Sequence, residues 1–253
     1  MVAAALLRTP RGRLIASAVV LAGFAINALV TAPTAAAAPS RTGAPQGHDV
    51  SFPQCSQPLP QPRGFAVVGV AGGVAFSGNP CLASQFAWAS RAGSRPELYM
   101  NIGDPGPQSA HWRDRGPRAC AAADRLCLAS NYGASAVADA FARARAAGAR
   151  SSRWWLDVEV LNTWAGDAAQ NIAVIQGAAA ALRSRGVTAG VYSTPWQWGQ
   201  ITGGWRVAMP NWLGGAGDPA QAATWCAGTG FSGGAVQLVQ YPAEGVDGDL
   251  RCH

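Results

Sequence analysis

In the segment SRWWLDVEVLNTW, residues 151–163, two acids, Asp157 and Glu159, interrupt an otherwise apolar run. The chain holds only three glutamates, Glu97, Glu159 and Glu244, so the placement is unusual for it. Burying carboxylates without partners is costly, and a core strand has no need of them. Alternation along a strand puts both acids on one face, with Cα atoms roughly 6.6 Å apart. Two further acids hold similar places: Asp49 in the run HDVSF, and Asp247 in VDGDLRC, where Asp249 is the alternative in register. Convergence of Asp49, Asp157, Glu159 and Asp247 would crowd carboxylates and raise at least one pKa, leaving a proton donor at neutral pH. Cleavage of a glycosidic bond needs such a donor, with other acids to stabilise positive charge at the sugar.

Aromatic residues suited to stacking on sugar faces fall near the ends of the same runs. Tyr99, Tyr192, Trp196, Trp212 and Tyr241 are the candidate substrate-binding residues, with Trp164 and Trp198 nearby. Trp154 and Trp155 read as core. A structural alternative pairs Asp157 and Glu159 with arginine, but Arg153, four positions up the strand, points away along the same element. The glycine-rich runs GVAGG and GGAG lack the Lys and Ser/Thr of a phosphate loop and read as turns. A Ser–His–Asp site would rely on His48, and no G-x-S-x-G elbow exists. His48 is expected either to line the cleft or to cap the barrel floor.

The elements that must position these acids are legible as apolar, β-branched runs. They lie at 48–52, 64–73, 97–103, 153–159, 188–194, 209–215, 235–241 and 246–252. Near-continuous apolar strands suit a parallel sheet covered on both faces. Ala-rich stretches at 79–93, 133–148 and 166–186 lie between several of them and close on Gly, a helix stop. Strand–helix alternation followed by a strand-rich final third predicts an α/β fold, a single TIM-like barrel. Residues 101–132, long and cysteine-bearing, read as a loop insertion over the barrel mouth, a lid or a staple.

The N-terminus reads as an export signal. Arg8, Arg11 and Arg13 precede the apolar run LIASAVVLAGFAINALV and the small-residue series TAPTAAAAPS. We expect a signal peptide at 1–38, a flexible leader at 39–46 and one barrel domain at 47–253. An uncleaved anchor is the alternative, since the run approaches the ~17–25 residues that span a bilayer. Cleavage lowers the formal charge from +6 to +3 by removing those three arginines. A mild positive charge suits an anionic cell wall and is no nucleic-acid footprint. Every one of the 19 basic residues is Arg, which reads as compositional bias. Cys55, Cys81, Cys120, Cys127, Cys226 and Cys252 form an even set, and in an exported chain they suggest disulfides. The sequence-local pairing Cys55–Cys81, Cys120–Cys127 and Cys226–Cys252 is expected. With no C-x-x-C and only three histidines, neither a metal nor another cofactor is expected. The protein is expected to be a secreted or cell-wall-associated monomer, with no stable membrane span after signal cleavage.

Five of these segments, in order, resemble the glycoside hydrolase family 25 lysozymes (muramidases). GHDVSFPQ is similar to their G-x-D-x-S-x-x-Q first strand, and LDVE to their D-x-E strand. GVYSTPWQW resembles G-[IV]-Y-[ST]-x-x-x-W, and NWLGGAG stands where they carry W-x-A. VQLVQY followed by GVDGD resembles W-Q-Y and V-D-x-[ND]. The resemblance implies a (β/α)5(β)3 barrel and the N-acetylmuramoyl–N-acetylglucosamine bonds of peptidoglycan as substrate. It implies Glu159 as general acid and Asp157 as the group that orients the substrate's N-acetyl group and meets the developing charge. Asp49 and Asp247 would complete the carboxylate ring.

The chain also departs from that pattern. The second strand ends VGVAGG where the family carries an acid, LVQY replaces WQY, and residues 101–132 have no counterpart. These departures motivate an alternative function, a cell-wall glycan-binding protein with little or no catalysis on the same barrel. A family 18 chitinase is a weaker alternative, because Trp155 stands where that family's D-x-D-x-E motif needs an acid.

Overall fold

The computed structural model describes residues 44–114, 116–243 and 245–252. The expected signal peptide, 1–38, and the leader as far as residue 43 lie outside the described residues. Eight strands close into one barrel in sequence order: β1 (Gln46–Val50), β2 (Phe65–Gly69), β3 (Glu97–Asn101), β4 (Arg153–Asp157), β5 (Thr188–Ser193), β6 (Asn211–Leu213), β7 (Val236–Pro242) and β8 (Asp247–Arg251). Each matches one of the eight apolar runs. β1 begins at Gln46, one residue inside the segment read as leader, because its register with β8 pairs Gln46 with Leu250.

Five helices follow β2 to β6: α1 (Leu82–Ala89), α2 (Arg125–Ala146), α3 (Ala168–Arg183), α4 (Pro195–Thr202) and α5 (Pro219–Trp225). Four start on side chains that accept a bond from an orphan backbone N–H of the first turn: Asp124, Asp167, Thr194 and Asp218. α2 begins at Arg125, well before the expected residue 133. The Asp124 cap and the Cys120–Cys127 disulfide carry the helix into the segment read as an insertion. α2 and α3 cross closely at Gly133 and Gly177, where an added Cβ would lie 2.0 and 1.9 Å from a backbone oxygen of the other helix. No described helix is long and apolar enough to cross a membrane.

Strands β1 to β7 run parallel, whereas β8 is antiparallel to both β7 and β1. The reversal follows from the connection: four residues join Pro242 to Asp247, too few for the crossover that a parallel return needs. It presents the start of β8, rather than its end, at the barrel mouth.

Alternation divides the side chains between two cores. Phe65, Val67, Trp155, Trp212 and Leu238 fill the barrel interior, with Tyr99 and Tyr192 packed on them. The outward residues, among them Trp154, Leu156 and Val191, join the larger layer beneath the helices. Trp155 fits inside because its neighbour on β5 is Gly190, where a Cβ would lie 2.3 Å from the indole. His48 faces outward from β1 and packs near Trp88, with ring centroids 6.5 Å apart. It therefore neither lines the cleft nor caps the floor, because alternation from the inward Asp49 turns it to the helix layer. Its pKa is lowered by burial and then by the charge of Arg63.

Disulfides join Cys55 to Cys81, Cys120 to Cys127 and Cys226 to Cys252. They tie the β1–β2 loop to the start of α1, the β3–α2 loop to α2, and the end of α5 to the residue after β8. Each restricts the unfolded chain, more so for the two that close longer loops.

Candidate active site

The interior of the barrel carries acids at both ends. At the floor, where β3 and β4 begin and β8 ends, stands Glu97. Its carboxylate accepts from Trp155 Nε1 at 2.7 Å and from Arg251 Nη2 at 2.7 Å, and Arg153 Nε lies at 3.8 Å. Arg153 also donates to Gln237. Arg153 is thus committed to the floor and is no partner for Asp157 or Glu159.

At the mouth stand Asp49, Asp157, Glu159 and Asp247, with Asp249 beneath them. Asp49 ends the inward face of β1 and is paired in register with Asp247 of β8. Asp157 ends β4, and its Oδ2 accepts from Asn101 Nδ2, its register neighbour on β3. Glu159 follows on a turn held by three bonds. Its carbonyl accepts from Trp164 Nε1 at 2.7 Å and from Asn162 N at 3.0 Å, and Ser193 Oγ donates to Val158 O at 2.7 Å. Gln197 Nε2 reaches Glu159 Oε1 at 3.4 Å, while Gln197 Oε1 accepts from Val160 N at 2.8 Å. A second chain runs across the mouth: Tyr192 OH donates to Gln240 Oε1 at 2.7 Å, and Gln240 Nε2 donates to Asp49 Oδ2 at 3.0 Å.

Among the described residues no arginine or histidine forms an ion pair with any of these five acids. The electrostatics follow from that. Burial, then the charge of Asp247, pushes Asp49 up to about 7, against the bonds from Gln240 and Asp249 that lower it. Burial raises Asp157 well above the usual carboxylate range, and the charge of Glu159 and a carboxyl–carboxyl hydrogen bond to it add to the rise. Asp249 is raised in the same way by burial and by Asp49. Asp247 sits on the exposed rim as a residue, yet protein crowds its carboxyl, and this partial desolvation raises its pKa too. Asp49, Asp157, Asp247 and Asp249 therefore hold their protons to higher pH than ordinary carboxyls do. Among the described residues no group of three or more His, Cys, Asp or Glu side chains is arranged to hold a metal ion.

The candidate aromatics separate into three groups. Trp196, at the start of α4, is 65% exposed on the rim. Tyr99 and Tyr192 are half-buried below the mouth, edge-on to Trp212 at 5.9 and 4.7 Å. Trp212 is itself 2% exposed, with Nε1 donating to Asp249 Oδ1 at 2.8 Å, so it supports the acids from inside the barrel rather than facing a ligand. Tyr241 points out of the barrel into the outer core, since it alternates with the inward Gln240. The structure thus turns Trp212 and Tyr241 away from a substrate role. Asn101, Gln240 and Gln197 were not singled out from the sequence. The one available signal for Asn101 and Gln240 is a polar side chain near the end of an apolar strand on its inward phase, whereas Gln197 lies in the first turn of α4.

The segment 101–132 is anchored. Asp104, 1% exposed, accepts from Gln170 Nε2 at 2.8 Å, and Asn131 Nδ2 donates to Arg118 O at 2.8 Å. His111 stacks on Phe76 at 3.9 Å. A groove of about 670 Å³ lies between this segment, α2 and α3 on the outer face, and none of the mouth acids lines it.

A family model described as Lysozyme-like protein 1 matches residues 126–213. No curated protein matches the sequence. Among solved structures the chain is similar to a muramidase from Trichobolus zukalii, at 15% identity and a TM-score of 0.55, covering 81% of this chain and 91% of that one. It is also similar to a family GH25 lysozyme from Aspergillus fumigatus, at 15% identity and a TM-score of 0.51, covering 82% and 93%. The fold is a lysozyme-like barrel of the GH25 type.

Proposed function

We propose that the protein is an exported glycoside hydrolase that cleaves peptidoglycan glycan strands or a related N-acetylated polysaccharide. One observation carries this reading: acids from β1, β4 and β8 converge on one barrel mouth without a cation among the described residues. Structural acids are normally neutralised, as Glu97 is at the floor. Without a cation, burial raises the pKa of Asp49, Asp157 and Asp247, and a mouth that holds protons to higher pH has the property general acid catalysis uses. The similarity to a muramidase and a GH25 lysozyme fits the same substrate class, and the three disulfides fit an oxidising, extracellular compartment.

In this mechanism Glu159, the more accessible member of its pair, delivers a proton to the glycosidic oxygen as the bond breaks. Asp157, held by Asn101, orients the N-acetyl group of the sugar and meets the positive charge that develops at its ring. Asp49 and Asp247, on the adjoining strands, add negative charge on the same side. Trp196 supplies an exposed indole face for a sugar ring further along the strand, and Tyr99 and Tyr192 close the base of the cleft. The protein acts as a monomer with no metal or cofactor in the step.

The test is release of reducing ends from purified peptidoglycan by the oxidised protein and by Glu159→Gln. Release by the wild type and none by a folded variant is expected. Saturable binding to the wall without release by either protein would replace this reading with that of a glycan-binding barrel.

A further inference from the structure

We infer that Asp249 is a positioning residue that stays protonated and donates its proton to Asp49 from below. The inference deepens the hydrolase reading and rests on it for its catalytic consequence. Asp249 is fully buried, 0% exposed, one layer deeper than Asp247 on the same inward face of β8. Its two oxygens have different surroundings. Oδ1 accepts from Trp212 Nε1 at 2.8 Å, whereas Oδ2 is buried with no donor facing it. An ionised carboxylate would leave that oxygen unsatisfied inside the barrel, at a cost comparable to a lost hydrogen bond to a charged group. A carboxylic acid resolves the arrangement, because Oδ2–H becomes a donor and the neighbouring carboxyl of Asp49 is the acceptor.

Asp49 then has two donors, Gln240 Nε2 at 3.0 Å and Asp249. Both favour its ionised form and aim it at the mouth. The other groups facing the pair are Trp212 on β6, Asp247 on β8 and, across the mouth, Asp157 on β4 and Glu159 after it, with Tyr99 on β3, Tyr192 on β5 and Tyr241 on β7 alongside. The acids among them disfavour ionisation of Asp49, so the bond from Asp249 opposes their combined effect. Asp249 touches no substrate in this arrangement. It acts on the reaction only through the charge and direction of Asp49.

The inference distinguishes two replacements. In Asp249→Asn the amide oxygen takes the place of Oδ1 and the NH₂ group that of Oδ2–H, so the donor to Asp49 is kept. In Asp249→Leu the shape is similar and the donor is lost. The first experiment is infrared spectroscopy of the folded protein at neutral pH, which separates protonated from ionised carboxyl groups. The wild type should show a buried carboxylic-acid carbonyl band that Asp249→Asn lacks, whether or not the protein cleaves anything. An identical carboxylic-acid region in the two proteins would overturn the inference. The second is the pH profile of reducing-end release. Asp249→Leu should move the limb governed by Asp49 upward by about one unit, while Asp249→Asn restores the wild-type position. Equal profiles for the two variants would also overturn it. Should Asp249→Leu fail to fold, the infrared comparison with Asp249→Asn still decides. Absence of glycan cleavage by the wild type would defeat the hydrolase reading and leave the infrared test standing.

Discussion

The two ends of the barrel interior treat buried acids in opposite ways. At the floor, Glu97 has Arg251 at 2.7 Å, Arg153 at 3.8 Å and the indole N–H of Trp155. At the mouth, Asp49, Asp157 and Asp249 are as buried as Glu97, but their hydrogen-bond partners are amides, an indole and one another, with no cation among the described residues. Inside the barrel, the acid that serves the fold is given cations, because a lone buried charge is expensive. An acid kept without one is driven to hold its proton. The contrast within one barrel separates structural from chemical carboxylates more sharply than burial does.

The largest effect that should follow is on activity. Glu159→Gln should lower reducing-end release by on the order of 10²–10⁴-fold. Its thermal unfolding should stay close to that of the wild type. A variant that cleaves at the wild-type rate would remove Glu159 from the mechanism and dissolve the contrast at its most informative point.

Stability should next depend on pH through the mouth acids. The folded-state value of Asp49, about 7, is raised above the ordinary carboxylate value of 3.8 in the unfolded chain. Between those values the folded state binds more protons, so stability is fully present below the lower one and is lost as pH rises through the upper. The loss is on the order of 4 kcal/mol for this group alone if the whole shift is expressed. Asp49→Asn should flatten that slope in urea unfolding series run across the window. A parallel slope in the variant would assign the pH dependence to other groups.

At the floor the acid is paired with cations instead. Glu97→Gln strands Arg251 and Arg153 and should destabilise the protein by about 3 kcal/mol. Activity per folded molecule should not change. Denaturant unfolding beside an active-fraction assay separates the two quantities, and a specific loss of activity would show that the floor influences the mouth.

The smallest effect belongs to the rim. Trp196→Ala removes an exposed ring face and should weaken glycan binding by about 1 kcal/mol, with KM rising and kcat little altered. Calorimetric titration with a soluble cell-wall fragment measures it, and unaltered affinity would leave Trp196 without a binding role.

Much of this was legible before the structure. Each strand lies within or overlaps an apolar run, since a buried parallel strand needs little more than a short β-branched stretch bounded by turn residues. Asp49, Asp157 and Glu159 stood out because polar residues that interrupt such runs must be satisfied or used. His48, Trp212 and Tyr241 did not read correctly for a common reason. Being aromatic or titratable near a strand end says nothing about which side of the strand the residue faces, and alternation sent His48 and Tyr241 outward while Trp212 fell one layer too deep. The start of α2 was missed because RLCLASNY continues a long cysteine-bearing loop, and its helix is held by the Asp124 cap and a disulfide.

By itself the sequence determined the strands, their order, the closed α/β architecture and the identity of the mouth acids, all of which follow from local pattern and residue type. Tertiary structure alone decided which acids meet and which meet a cation. Asp247 came to the rim and Asp249 beneath Asp49 only because β8 runs antiparallel and pairs with β1 across the barrel's closure. Glu97 acquired Arg251 by the same closure, at a separation of 154 residues along the chain. Contacts between residues so far apart depend on the register of strand pairing, which no local pattern encodes.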